Sequence, residues 1–154
     1  MSKSISIALS VAVCLFVGYL SNLLQAESLA TWYPMLNKAP LTPPGWVFAV
    51  VWSILYVLMG ISAGLLLASN NVTKRLLLAL FVVQLFFNLL WSFCFFTMQS
   101  VTLGVAVLFM LVVMALAYFF GAFLVERKVA YFFLPYLLWL FFACYLNIYM
   151  AMFN

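Results

Sequence analysis

Two sets of side chains recur at helical spacing and carry the groups through which this chain can act. Gln84, Asn88, Trp91 and Phe95 stand at i, i+4, i+7 and i+11, and Tyr136, Trp139, Ala143 and Asn147 at i, i+3, i+7 and i+11. Each set therefore lies on one face of a helix. Trp52 and Tyr56 form a third pair one turn apart. Amides in lipid must find partners, so these faces point into the bundle and toward each other. They do not supply acid–base or nucleophilic chemistry, and little else here does. The chain has no histidine, its two acids are Glu27 and Glu126, and Cys14, Cys94 and Cys144 stand singly without metal-ligand spacing. The cysteines read as small buried fillers, so no metal and no cofactor is expected.

The elements that must position these residues are membrane helices. With 71% hydrophobic and 5% charged residues, the composition excludes a soluble globular domain. A helix needs about 20 apolar residues to cross the hydrocarbon core. Five runs qualify: Ile5 to Leu24, Gly45 to Ala68, Leu76 to Thr97, Val101 to Val125 and Val129 to Phe153. They predict an all-α fold, a single five-helix transmembrane domain over residues 1–154. The first run is longer than the core of a secretory signal and reads as a retained helix. Lys3, Lys74, Arg75, Arg127 and Lys128 fall at one side and Lys38 at the other. The excess of basic residues inside predicts a cytoplasmic N-terminus, in a bacterial cell membrane rather than an organelle. Residues 25–44, apolar and proline-rich with Trp32-Tyr33 and Thr42-Pro43-Pro44, then form a lid on the outer mouth.

Counted from the proposed outer ends at about 1.5 Å per residue, Trp52, Asn88, Trp91, Ala143 and Asn147 lie in the half of the bilayer beneath that lid. Two readings fit: a lidded small-molecule cavity, or packing aromatics held by amide bonds. Trp46, at the start of its helix, reads as an interfacial anchor. Gly60-x-x-x-Gly64 and Ala117-x-x-x-Gly121 permit close helix contact and a seam between two copies. No ionisable residue lies within a span, and neither an internal repeat nor an even helix number is present, which argues against an ion-coupled inverted-repeat carrier. No nucleic-acid partner is expected.

Read together, Trp32-Tyr33-x-x-Leu36-x-Lys38, Thr42-Pro43-Pro44-x-Trp46, Val51-Trp52-x-x-Leu55-Tyr56-x-x-Met59-Gly60, Gln84-Leu85-x-x-Asn88-x-x-Trp91 and Pro135-Tyr136-Leu137-x-Trp139-x-x-Phe142-Ala143-x-x-Leu146-Asn147 resemble the translocator protein family. That family is also known as TspO, tryptophan-rich sensory protein or peripheral benzodiazepine receptor. The resemblance implies a five-helix bundle, commonly a homodimer in the lipid bilayer, that binds protoporphyrin IX and other hydrophobic ligands under the first loop. Carried over by position, it implies ligand contacts from Tyr33, Pro43, Trp52, Asn88, Trp91, Ser92, Trp139 and Ala143. Lys38 is placed to meet a propionate. The chain departs from the pattern at Leu41, where the family usually has tryptophan, and at Ala39-Pro40. A sterol-recognition pattern beginning at Leu146 and Tyr149 lacks its closing base. A tetrapyrrole receptor without conventional catalytic groups is the favoured function, with porphyrin transport as its extension. The alternatives are light- and oxygen-dependent porphyrin degradation, with Trp52 and Trp139 as redox partners, and a scaffold or sterol-handling protein.

Overall fold

The structure, a computed structural model, describes residues 2–154. Among them are five helices long and apolar enough to cross a membrane, and no strand. They are α1 (Lys3–Thr31), α2 (Gly45–Ala68), α3 (Lys74–Ser92), α4 (Val101–Val125) and α5 (Arg127–Phe153), and α3 runs on into a π-helical turn at Phe93–Thr97. Around the bundle the order is α1, α2, α5, α4, α3, and the π-turn closes the ring against α1. The short links after α2 and α4 leave Lys74, Arg75, Arg127 and Lys128 at one end, called here the basic end. The segment Trp32–Pro44 covers the other, the lid end.

Local signals set the helix limits. Ser2 caps α1 by accepting from the Ile5 N–H at 3.4 Å, and Ser100 caps α4 by accepting from Leu103 at 3.3 Å. Gln99, between the π-turn and α4, takes a left-handed backbone at φ 51°, which makes a tight reversal possible.

One boundary differs from the sequence expectation. Residues 25–31 are not lid but the last turns of α1, which runs on past Leu24 to Thr31. Apolarity ends at the membrane edge, but helix propensity does not. Ala26, Glu27, Leu29 and Ala30 are good helix formers, and no proline occurs before Pro34. The lid proper starts at Trp32, with a 3-10 turn at Tyr33–Met35.

The basic half of the bundle is a packed core. Tyr118 and Phe133 meet edge to face at 4.6 Å, and Phe81 and Tyr136 extend the cluster at 5.3 Å from Tyr118 and 5.1 Å from Phe133. The buried Ser62 hydroxyl donates to the Val129 carbonyl at 2.8 Å and lies 2.9 Å from the Tyr118 hydroxyl, so the phenol donates to it. Gly60 and Gly64 place α2 directly on α1. A Cβ at either position would come within 2.4 Å of the Cα of Val11 or Ile7. A Cβ on Gly121 would meet Leu77 Cδ2 at 2.4 Å. Gly60, Gly64 and Gly121 are thus occupied within the chain, whereas Ala117 is exposed.

Candidate functional site

On α1 the inward residues are small and polar. Ser6, Cys14, Ser21 and Ser28 are buried, whereas Leu9, Phe16, Tyr19 and Leu23 face outward. In lipid, where the surroundings are as apolar as leucine, close packing and hydrogen bonds decide which face turns inward. The extra turns of α1 bring Gln25 and Ser28 to the lid end of α3. The Gln25 amide donates to Ser92 Oγ at 2.9 Å, and the Ser28 hydroxyl donates to the Phe96 carbonyl.

The amide stripes meet as their spacing suggested. Asn88 sits at the centre: its Oδ1 accepts from the Tyr56 hydroxyl at 2.7 Å and its Nδ2 donates to the Tyr136 hydroxyl at 3.1 Å. Ser21 Oγ lies 3.4 Å from the Tyr56 hydroxyl, whose proton is already committed to Asn88. Four helices are thereby tied at one level. Nearer the lid, Trp91 Nε1 donates to Asn147 Oδ1 at 3.2 Å, and the Asn147 amide donates back to the Ala143 carbonyl at 2.9 Å. Gln84, one turn below Asn88, is fully buried and its amide has no hydrogen-bond partner among the described residues.

Above the Asn88 tie the bundle opens into a cavity of about 710 Å³. Tyr33, Pro43, Trp52, Asn88, Trp91, Ser92, Trp139 and Ala143 all line it, so the structure brings the eight sequence-selected positions to one place. α4 contributes nothing to its wall. Trp52 and Trp91 are stacked at 6.1 Å with 26° between planes, and Phe95 continues the array at 6.0 Å and 28° from Trp91. Trp139 stands opposite on α5, edge-on to Phe48 at 5.8 Å. Trp46 is exposed, as an anchor at the bilayer surface should be. Leu41, at the departure from the family pattern, is exposed and lines no part of the cavity.

The lid rests on the π-turn. Trp32 and Tyr33 pack on Phe95 and Phe96 at 5.5 and 5.8 Å. Burial pushes the Tyr33 phenol above its ordinary pKa, so it stays neutral while the Lys38 ammonium lies 5.0 Å over its ring. The same ammonium donates to the Pro34 carbonyl at 3.2 Å. At the far edge Asn37 and Asn154 clasp reciprocally. Asn154 Oδ1 accepts from the Asn37 N–H at 2.8 Å, its Nδ2 donates to the Asn37 carbonyl at 3.2 Å, and the Asn37 amide donates to the Phe153 carbonyl at 2.9 Å.

The helical stripes place no α1 residue on this wall, yet Gly18, Ser21, Asn22 and Gln25 line it. The signal was present as the recurrence of Ser6, Cys14, Ser21 and Ser28 at intervals of seven or eight, obscured by the larger apolar residues between them. No group of three or more metal-ligating side chains occurs among the described residues, and the cysteines are free. The wall offers stacking, amide and hydroxyl hydrogen bonds, and one cation at the mouth.

The sequence pattern that defines the TspO/MBR family matches residues 10–153. This chain belongs to the TspO/MBR family. It is 33% identical to the tryptophan-rich protein TspO of Chlorobaculum tepidum over 96% of this chain and 95% of that relative. It is 37% identical to protein CrtK of Rhodobacter capsulatus over 78% of this chain and 76% of the relative. With the translocator protein of Ovis aries it shares 33% identity over 75% of this chain and 70% of the relative. It is thus an integral membrane protein of the TspO family.

Proposed function

We propose that this TspO-family protein is a membrane receptor that binds tetrapyrroles such as protoporphyrin IX in the cavity beneath the lid. The observation that carries this reading is the wall itself. Trp52, Trp91 and Phe95 form a stacked aromatic array, with 26° and 28° between successive planes, along a chamber of about 710 Å³, within the roughly 300–1,000 Å³ of small-molecule sites. A flat macrocycle gains area and stacking from such a wall. Lys38 at the mouth suits a propionate at headgroup level. The five basic residues at the opposite end support an orientation with the lid end outside a bacterial cell membrane.

A porphyrin titration in darkness tests the receptor reading. Ala143 lines the chamber between Trp139 and Asn147, so Ala143→Phe should weaken protoporphyrin IX binding about tenfold or more while the bundle stays folded. Unchanged affinity would remove Ala143 from the site and favour packing alone.

A second reading, breakdown of the bound pigment, is favoured by the placement of Trp52 and Trp139 on a wall whose one charged side chain is Lys38 at the mouth. Turnover then draws its energy from the excited chromophore, and the protein contributes orientation and a dry cage. Degradation should require light and oxygen. Trp52→Phe or Trp139→Phe should slow photoproduct formation more than it weakens binding, because phenylalanine keeps the ring and loses the oxidisable indole. Equal bleaching in parent, variants and empty micelles would leave binding as the sole role.

A further inference from the structure

The chamber does not close on its lipid side. Leu15, Tyr19 and Asn22 of α1 line it and are exposed, and so are Gly45, Ala49 and Ser53 of α2. They flank one gap between the two helices. Toward the basic end the same seam is shut by the backbone contacts of Gly60 and Gly64, and it is still tight at Gly18, where a Cβ would lie 2.6 Å from the Tyr56 ring. From Tyr56 toward the lid α2 offers a hydroxymethyl, a methyl and a hydrogen at the exposed Ser53, Ala49 and Gly45, and a Cβ built on Gly45 would meet nothing within 4 Å.

A second hollow of about 290 Å³ lies on the lipid face of this seam, walled by Leu15, Ser53, Ile54, Val57 and Leu58. Leu15 and Ser53 belong to both walls. Leu15 and Ser53 thus face the aromatic chamber on one side and the hydrocarbon-facing groove on the other.

The geometry points to a lateral portal and to a two-part ligand: a planar anionic head inside the chamber, and an alkyl tail that leaves through the gap and lies in the outer groove. This rests on the reading that the chamber holds a tetrapyrrole head, and extends it to amphiphiles that arrive from the bilayer. The physical reason is the tail's surroundings. A tail leaving by the lid end would enter water and lose affinity with each methylene, whereas one leaving sideways exchanges lipid for a groove equally apolar. Head-group chemistry then sets affinity, and the tail is carried at little cost.

Protoporphyrin IX monomethyl and monododecyl esters, which carry the same charge, test this in lipid nanodiscs, with empty nanodiscs as the partition control. The parent should bind the two within about threefold of each other, because the long tail never leaves hydrocarbon. Ser53→Phe narrows the gap, and Val57→Phe fills the groove from a position outside the chamber wall. The ratio of dodecyl to methyl affinity should drop about tenfold in Ser53→Phe and several-fold in Val57→Phe, which should still bind the methyl ester as the parent does. Should Ser53→Phe fail to fold, Val57→Phe decides alone. A dodecyl ester bound tenfold more weakly than the methyl ester by the parent, or a ratio unmoved in the variants, overturns the portal and leaves the tetrapyrrole reading standing. No binding of the methyl ester to the parent overturns that reading, and the portal with it.

Discussion

The two halves of the α1–α2 seam are made from the same helices and behave oppositely. In the basic half, Gly60 and Gly64 let backbones touch, and the neighbouring interior is filled by Phe81, Tyr118 and Phe133. In the lid half the helices part, and aromatic residues of similar size surround a cavity instead of filling one. Aromatic content does not distinguish the halves. The difference lies in where the small residues point: at a partner backbone in one half, and at an open gap in the other. One half is closed by backbone contact and a filled interior, and the other keeps a chamber open.

Breaking the closed half should have the largest effect. Gly60→Leu drives a side chain into the Val11 backbone, so it should lower stability by about 3 kcal/mol, read as an earlier thermal unfolding transition in detergent. A Gly60→Leu protein that melts like the parent would mean that the glycine contact does not hold the halves apart in stability.

The tie at the boundary should rank next. Asn88→Leu leaves the Tyr56 and Tyr136 hydroxyls without their shared amide. A loss of about 1–2 kcal/mol is expected, because amide bonds in membrane interiors contribute modestly. It should also weaken porphyrin binding, since Asn88 is part of the chamber wall. Equal stability with reduced binding would move Asn88 from boundary to ligand contact alone.

The clasp at the rim should give the smallest effect. Asn154→Ala removes both side-chain bonds to Asn37 at an exposed site, so stability should change by less than about 0.5 kcal/mol. Ligand release measured by stopped flow should accelerate by about threefold, as the lid loses one of its attachments. An unchanged release rate would show that exchange does not pass under the lid, which would sharpen the case for the lateral gap.

The closed and open halves were not equally legible in the sequence. The five spans, the inward faces of α3 and α5 and the eight wall residues followed from hydropathy, from helical spacing and from the family resemblance. Their spacing survives because Asn88, Trp91, Tyr136 and Asn147 meet partners across the bundle. Two things were hidden. The reach of α1 to Thr31 was hidden because hydropathy reports the membrane edge and not the helix end. The partner of Gly60 and Gly64 was hidden because a small residue signals that something comes close without saying what.

The π-turn at Phe93–Thr97 makes residue count a structural variable. A π-turn accommodates one more residue than the α-helical turn it replaces, and it sets the rotational phase at which Phe95 and Phe96 meet Trp32 and Tyr33. Removing a single residue here would restore a regular helix and swing both rings away from the lid, although every side chain on the chamber wall below kept its identity. In this protein the seating of the lid is therefore encoded as chain length as well as composition.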